Sequence, residues 1–300
     1  MQRPASNENS FVVDLLTTLQ EERFSPLAWW RFLVRSWNMS CETANNNPSL
    51  KRSWLRTTAF MSILTLSICM IVGFFEGPIT LLRMLPGFLF CVVWQQSDLF
   101  WHLGLNYQTQ SNKLRTTVGI ANVLTELRGL GAAFLLGRLV GGLFTPDGLA
   151  LLVFSAGVLT DILDGLVART TQTQSKLGQI ADGEADFCLY LALSIILVQD
   201  AILPLWLGIV LVLRFFVPLI AALMSYFLFA HPVRFGSTKW GKGAGLAQCL
   251  YFFVLLAPPL FAGFAHFLNL PLLIATLVLI TAAPVAQFMA NVQVQTHKNI

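Results

Sequence analysis

Long apolar runs alternate with short polar or basic stretches along most of the chain, and this pattern predicts its helices. A helix that crosses a bilayer needs about 20 predominantly apolar residues, and runs near that length recur from residue 57 to residue 290. We predict a hairpin of two spans at about 57–76 and 79–98, broken near Gly77 and Pro78. Six further spans are predicted: one that opens at Asn122, and others at about 147–168, 179–200, 204–228, 244–265 and 270–290. The expected fold class is all-α, a polytopic membrane helix bundle with a six-span core and an N-terminal two-span hairpin.

The residues ahead of the hairpin are amphipathic rather than uniformly apolar. Residues 11–37 predict two short amphipathic helices split at Pro26, and the second mixes tryptophans with Arg31 and Arg35. Such a helix suits the membrane interface, but docking onto the protein's own cytoplasmic face fits the pattern equally well. A polar linker is expected at 42–49. We therefore expect three regions: an interfacial region at 1–50, a two-span extension at 51–121 and a six-span domain at 122–300.

The composition excludes an ordinary soluble domain. Of the 300 residues, 55% are hydrophobic and only 11% are charged, whereas soluble domains carry roughly 25% charged residues. The formal net charge of +4 is modest and resides mostly in loops. This distribution suits anionic membrane lipids as partners and gives no indication of nucleic-acid binding.

The basic residues also predict an orientation in the membrane. The basic stretches lie at 51–56, 113–128, 169–176 and 231–242, all on one side under the predicted spans. The opposite turns, near residues 77, 145, 202 and 267, carry almost no Lys or Arg. Because Lys and Arg concentrate in cytoplasmic loops, we expect the side that carries the basic stretches to be cytoplasmic, together with both termini.

Four aspartates meet at one boundary of two predicted spans. Asp161 and Asp164 are three residues apart near the end of one span, and Asp182 and Asp186 are four apart near the start of the next. At these spacings each pair shares a helix face, so the four carboxylates are expected to converge. Clustered carboxylates need a cation, and Mg²⁺ or Mn²⁺ prefers such oxygen ligands and is often completed by substrate phosphates. The pattern therefore predicts a divalent-metal site that takes a phosphorylated substrate.

The residues around these aspartates fill the pattern D-x2-D-G-x2-A-R-x8-G-x3-D-x3-D. The positions are Asp161, Asp164, Gly165, Ala168, Arg169, Gly178, Asp182 and Asp186. In this pattern the chain resembles the CDP-alcohol phosphotransferase (CDP-alcohol phosphatidyltransferase) family from about Asn122 to its end. Asn122, Thr125 and Arg128 look like the N-x2-T-x2-R element that many members carry before the first core span. Gly241, Lys242 and Gln248 look like part of a later G-K-x2-T-x2-Q element, with Gly245 where Thr is usual.

The resemblance implies a role for each matched residue. Asp161, Asp164 and Asp182 would hold the metal, and Asp186 would face the same metal and act as general base on the incoming hydroxyl. Gly165, Ala168 and Gly178 would line the cytidine pocket, while Arg169 would contact the diphosphate. Asn122 and Thr125 would belong to the nucleotide end of the same site.

Three further basic residues are candidates for binding an acidic acceptor or a lipid phosphate. Arg214 lies within a predicted span, where a charged group is costly and should face the bundle interior or a wet cavity. It is expected either to bind such a phosphate or to pair with an internal carboxylate. Arg234 and Lys242 lie in a glycine-rich loop, which the positive-inside rule also explains.

The expected function is an integral-membrane enzyme with its active site facing the cytoplasm. It would transfer a phosphatidyl-type group from a CDP-linked lipid, such as CDP-diacylglycerol, to an alcohol acceptor and release CMP. A homodimer would fit the family. A Mg²⁺-dependent prenyltransferase, a divalent-cation transporter and a catalytically inactive relative are the alternatives. Glycerophosphate-specific members commonly have Pro after the third Asp and Lys after the fourth, where this chain has Gly183 and Phe187, so the acceptor stays open.

Overall fold

The computed structural model describes residues 16–109, 113–229 and 239–296, and the regular structure in these ranges is helical. We number the helices α1 to α9. They are α1 (Pro26–Asn46), α2 (Pro48–Phe75), α3 (Pro78–Trp101), α4 (Ile120–Val140), α5 (Asp147–Thr170), α6 (Lys176–Gln199), α7 (Leu205–Phe229), α8 (Lys239–Leu255) and α9 (Ala262–Thr296). Short 3₁₀ turns lie at Leu103–Leu105 and Pro259–Phe261. The predicted all-α class is confirmed.

The N-terminal hairpin is turned by the dipeptide that the sequence singled out. Gly77 has a φ of +90°, a backbone conformation that side chains with a Cβ rarely adopt. Pro78 then opens α3, a position where its missing N–H breaks no helical hydrogen bond. The break between α2 and α3 therefore lies where it was predicted.

The predicted polar linker at 42–49 is wrong. Helix α1 continues to Asn46 and α2 begins at Pro48, which leaves Asn47 alone between them. The Asn47 side-chain amide donates a hydrogen bond to the carbonyl of Thr43, at 2.8 Å, and so closes the end of α1. Polar residues at 42–46 were read as a loop, but the exposed face of a surface helix accommodates them equally well.

The predicted boundary between the last two spans, at 265–270, is also wrong. The chain leaves the helical path between Leu255 and Ala262, and Pro271 lies inside α9. Two consecutive prolines, Pro258 and Pro259, supply no backbone N–H and end α8 more firmly than one proline can. A single proline within a membrane helix is tolerated, because neighbouring groups satisfy the freed carbonyl.

Among the described residues, four stretches are long and apolar enough to cross a membrane. They are Pro48–Phe75, Pro78–Trp101, Asp147–Thr170 and Pro259–Ala283. Their outward side chains include Phe74 and Phe75, which are 83% and 78% exposed. Large apolar side chains exposed on helices of this length face lipid, so the chain is an integral membrane protein. Helices α4 and α6 contain several charged residues, and some of them belong to the site described below.

The contacts divide the chain into two compact units. The first unit is Trp30–Ile196, and the second unit combines Met1–Trp29 with Leu197–Ile300. Within the first unit, α2 packs on α3, α3 on α4, and α4 on α5. Within the second unit, α9 packs on α8 and α7. The N-terminal hairpin thus belongs to the same unit as the four signature aspartates.

Small residues let the hairpin approach α4 closely. A Cβ on Gly137 would lie 2.7 Å from the Cβ of Phe88, and one on Gly87 would lie 2.8 Å from the Cβ of Val140. Close packing through small residues is the usual way in which membrane helices associate. Near the same end, Arg138 of α4 forms an ion pair with Glu76, with Nη1 at 2.7 Å from Oε1. The hairpin is therefore fixed to α4 by both packing and charge.

Candidate functional site

The four signature aspartates surround one guanidinium. Helix α5 carries Asp161 and Asp164, α6 carries Asp182 and Asp186, and α4 carries Arg128. Arg128 Nη1 lies 2.5 Å from Asp161 Oδ1 and 3.0 Å from Asp186 Oδ1. Arg128 Nη2 lies 3.1 Å from Asp164 Oδ2 and also contacts Asp182 Oδ1. Three helices therefore meet at a single charged centre.

The exposure of these side chains differs in a way that suits a catalytic centre. The Arg128 side chain is 1% exposed and that of Asp164 is 9% exposed. The side chains of Asp161, Asp182 and Asp186 are 48%, 45% and 33% exposed. The centre thus has a buried floor, formed by Arg128 and Asp164, beneath three carboxylates that a ligand can reach.

The three accessible carboxylates fit a divalent cation. One oxygen from each of Asp161, Asp182 and Asp186 lies within 4.8 Å of the others. Carboxylate oxygens are the ligands that Mg²⁺ and Mn²⁺ prefer. The ion pairs with Arg128 use one oxygen of each carboxylate, and a single guanidinium cannot balance four ionised carboxylates. Both the geometry and the excess negative charge therefore favour a cation at this triad.

The buried floor is completed from α4. The hydroxyl of Thr125 donates a hydrogen bond to Asp164 Oδ2 at 2.9 Å. Thr125 and Arg128 are three residues apart, so the same face of α4 holds Asp164 with both side chains. These two bonds fix the orientation of a carboxylate that would be costly to bury without partners.

Asn122 and Gly178 also lie side by side. A Cβ on Gly178 would lie only 2.7 Å from Asn122 Oδ1, so glycine permits this close approach between α4 and α6. The Asn122 amide donates to the carbonyl of Val118 at 2.8 Å. The amide N–H of Gly178 donates to the hydroxyl of Ser175 at 3.1 Å. The start of α6 is therefore held against the first turn of α4.

Arg169 lies in the last turn of α5. A Cβ on Gly165 would lie 3.0 Å from Arg169 Nη1. The exposed Arg169 side chain thus folds back along α5 over the space that Gly165 leaves. Ala168, beside it in sequence, is half-buried.

The loop between α5 and α6 is braced by the segment that precedes α4. Gln108 forms an isolated β-bridge with Ser175, and the Gln108 side-chain amide donates to the carbonyl of Gln172 at 2.8 Å. Arg115 Nη1 donates to the carbonyl of Thr173 at 3.0 Å. Burial lowers the pKa of the Arg115 guanidinium below its ordinary value. This bracing holds the turn that separates the two pairs of aspartates.

The remaining basic residues that were predicted to bind phosphate belong to the second unit or lie outside the described residues. Arg214 Nη1 donates to Gln248 Oε1 at 2.6 Å, and its guanidinium lies 4.9 Å from the centre of the Phe215 ring. A Cβ on Gly245 would lie 2.9 Å from Arg214 Nη2, so the glycine at this position gives the guanidinium room. Lys242 is exposed. Arg234 lies in the segment 230–238, which the structure does not describe.

Arg128 is the residue whose place in the site the sequence analysis missed. It was noted as the last residue of the N-x2-T-x2-R element and was given no role. The available signal was a charged residue within an apolar helix, one turn after Thr125. The spacing within α4 could not show that four carboxylates from two other helices converge on it.

Comparisons with known proteins identify the family of the chain. The family model for CDP-alcohol phosphatidyltransferase matches residues 118–286. A cardiolipin synthase (CMP-forming) of Streptomyces coelicolor is 34% identical over 116 residues. That match covers 37% of this chain and 54% of the relative, so the chain spans about half the length of the curated relative it matches. No solved structure matches the chain. Since the family model covers more than half of the chain and includes every residue of the aspartate pattern, the chain belongs to the CDP-alcohol phosphatidyltransferase family.

Proposed function

We propose that the protein transfers a phosphatidyl group from CDP-diacylglycerol, or a similar CDP-alcohol, to the hydroxyl of a second alcohol and releases CMP. The observation that carries the proposal is the convergence of four signature aspartates around Arg128. A site with accessible carboxylates above a buried floor suits a reaction that moves one proton and one phosphoryl group.

A divalent cation, Mg²⁺ or Mn²⁺, held by Asp161, Asp182 and Asp186 would neutralise charge on the diphosphate and on the departing CMP. Asp164 is proposed as a further member of this metal set, as the family pattern implies. Its bonds to Thr125 and Arg128 keep its carboxylate in a fixed orientation at the base of the triad. Arg128 holds the four carboxylates at a common centre in spite of their mutual repulsion.

Asp186 is proposed as the general base. Its carboxylate is one-third exposed and lies at the same centre as Asp161 and Asp182. It would take the proton of the acceptor hydroxyl as the new oxygen–phosphorus bond forms, and the bond from phosphorus to CMP would break. Arg128 contacts Asp186 through Nη1, so the base is held while it remains within reach of a substrate.

The CDP group is proposed to bind along the signature helices. Gly165, Ala168 and Gly178 would line the cytidine pocket together with Asn122 and Thr125. Arg169 would contact the diphosphate, and its exposed guanidinium over Gly165 supports that role. These contacts would place the scissile phosphate beside the aspartates.

The proposed acceptor is a phospholipid with a free hydroxyl, such as phosphatidylglycerol, with cardiolipin as the product. The curated relative is a CMP-forming cardiolipin synthase, which supports a lipid acceptor. Gly183 and Phe187 depart from the pattern of glycerophosphate-specific members and so argue against glycerol 3-phosphate as the acceptor. Arg214, Arg234 and Lys242 are proposed to hold acceptor phosphate. We further propose that the active site faces the cytoplasm and that the protein works as a homodimer.

The test supplies purified protein with CDP-diacylglycerol, Mg²⁺ and one acceptor at a time. The acceptors are phosphatidylglycerol, glycerol 3-phosphate and inositol 1-phosphate, and both CMP and the lipid product are measured. We expect CMP release and cardiolipin formation only with phosphatidylglycerol. Product with a water-soluble acceptor alone would replace the proposed acceptor, and no CMP release with any acceptor would contradict the proposed transfer.

A further inference from the structure

The N-terminal hairpin contacts α4 next to the catalytic centre, although it precedes the family match at residues 118–286. Gln96 of α3 is 7% exposed, and its Nε2 donates to Glu126 Oε2 at 2.6 Å. Glu126 itself is 2% exposed. Both partners of this hydrogen bond are buried, so losing either one leaves a polar group unsatisfied.

The hairpin also fixes the orientation of the Gln96 amide. Thr58 of α2 donates its hydroxyl to Gln96 Oε1 at 3.0 Å. The amide oxygen therefore faces Thr58 and the amide nitrogen faces Glu126. The result is a continuous hydrogen-bonded path from α2 through α3 to α4.

A second glutamine lies directly against the α4 backbone. Gln95 Nε2 donates to the backbone carbonyl of Glu126 at 2.9 Å. A Cβ on Gly129 would lie 2.8 Å from Gln95 Cδ, so only glycine leaves room for the Gln95 amide at this place. Gly129 follows Arg128 directly in the sequence. Both glutamines therefore hold α4 at Glu126, two residues before Arg128, and the Gln95 amide also lies against Gly129, the residue after Arg128.

The helix geometry makes this contact relevant to catalysis. Successive residues of an α-helix are rotated by about 100°, so Glu126 and Gly129 share one face while Thr125 and Arg128 share the adjacent face. Contacts that fix the face with Glu126 and Gly129 therefore also fix the rotation of α4 about its axis. They fix the position of Thr125 and Arg128 along that axis as well. A misplacement of about 1 Å at a reacting centre can cost on the order of 100-fold in rate.

We propose that Gln95 and Gln96 are positioning residues, which hold α4 so that Thr125 and Arg128 meet the signature aspartates. The N-terminal hairpin is then part of the active-site architecture and not only an additional membrane anchor. The activity readout for this inference rests on the proposed function.

The chain offers a matched control for the hairpin contact. Glu76 joins the same hairpin to α4 through Arg138, ten residues after Arg128, or about 15 Å along the helix. Glu76→Ala therefore loosens the hairpin without touching the helix face beside the site. If the hairpin matters only for stability, Glu76→Ala should reduce activity as much as the glutamine variants do.

The kinetic experiment compares Gln95→Ala, Gln96→Ala and Glu76→Ala in the CMP-release assay. We expect each glutamine variant to lower kcat about tenfold, with the KM for CDP-diacylglycerol within about twofold, because α4 shifts while the donor pocket persists. Glu126→Gln keeps an acceptor oxygen for Gln96 and should lose much less. Unchanged kcat in both glutamine variants, or an equal loss in Glu76→Ala, would overturn the proposal.

A thermal experiment separates this inference from the proposed reaction. Gln96→Ala and Arg128→Lys are measured singly and together, and Glu76→Ala is combined with Arg128→Lys in the same way. We expect Tm shifts that are clearly non-additive for the Gln96 pair and additive for the Glu76 pair. Additive shifts in both pairs would contradict the positioning role. If the wild type releases no CMP, the proposed function fails and this coupling still tests the inference.

Discussion

Replacing Arg128 by alanine should make the stability of the protein depend on a divalent cation. In the wild type, one buried guanidinium contacts all four signature carboxylates. Without it, the repulsion between these carboxylates is no longer offset from inside the protein. A cation bound from outside is then the remaining way to compensate them.

The loss of stability expected for Arg128→Ala follows from the exposure of each carboxylate. Asp161, Asp182 and Asp186 are between one-third and one-half exposed, so water compensates them and each contact is worth about 0–1 kcal/mol. Asp164 is only 9% exposed, and breaking a buried pair costs about 3–5 kcal/mol. Asp164 keeps its bond to Thr125, which favours the lower end of that range. We therefore expect a loss of about 3 kcal/mol without metal, or a fall of roughly 5–10 °C in Tm.

The assay is thermal unfolding of the purified protein in detergent, in EDTA and across a Mg²⁺ titration. Ligand at about 100 times its Kd stabilises by about 2.7 kcal/mol, so saturating Mg²⁺ should restore most of the loss in Arg128→Ala. Wild type should gain less, because Arg128 already offsets part of the carboxylate charge. Arg138→Ala is the matched control, since it removes a buried arginine from the same helix at its pair with Glu76.

The control should be destabilised in EDTA and should gain no more from Mg²⁺ than the wild type gains. Two results would refute the reasoning. One is an Arg128→Ala variant whose Tm in EDTA equals that of the wild type. The other is an equal Mg²⁺ effect on the wild type, Arg128→Ala and Arg138→Ala.

Three further perturbations test the site. Thr125→Val removes the hydrogen bond from the hydroxyl to Asp164, so we expect the free energy of unfolding to fall by about 1 kcal/mol and kcat to fall about tenfold. Unfolding and CMP-release assays measure the two effects, and unchanged values would argue against a fixed orientation of Asp164. Gly178→Ala should push Asn122 away and lower kcat/KM for CDP-diacylglycerol, whereas Gly183→Ala enters open space on the same helix and should retain it; equal effects would show that the close approach is unimportant. EDTA should abolish CMP release, and excess Mg²⁺ or Mn²⁺ should restore it, while activity that persists in EDTA would exclude the metal role.

Much of the fold could be predicted because its signals are local. Apolar runs predicted an all-helical chain, although only four of the eight predicted spans are long and apolar enough to cross a membrane among the described residues. Gly77 with Pro78 predicted the turn of the hairpin, because each acts through the backbone at its own position. The last boundary prediction failed because the paired prolines at 258 and 259 end a helix, whereas the single Pro271 is accommodated within one. Their difference depends on how the surrounding helix satisfies the backbone groups that a proline frees.

The site was predictable only where its residues lie close together in the sequence. Four aspartates at helical spacings indicated a shared centre, because i to i+3 and i to i+4 spacings place side chains on one face. The spacings could not indicate Arg128 as the guanidinium between them, since its contacts come from two other helices. The contacts of Gln95 and Gln96 with Glu126 join α3 to α4 across about 30 positions of the sequence. Tertiary packing alone brings those groups together.

The measurement that tests the central claim most directly is CMP release by the wild type and by Asp186→Asn. Both are assayed with CDP-diacylglycerol, Mg²⁺ and phosphatidylglycerol. The control is Asp147→Asn, which changes an exposed carboxylate at the opposite end of α5. We predict acceptor-dependent CMP release by the wild type and Asp147→Asn, and a loss of at least about 100-fold in Asp186→Asn, as for a removed general base. Full activity in Asp186→Asn would contradict the assignment of the reaction to this carboxylate centre.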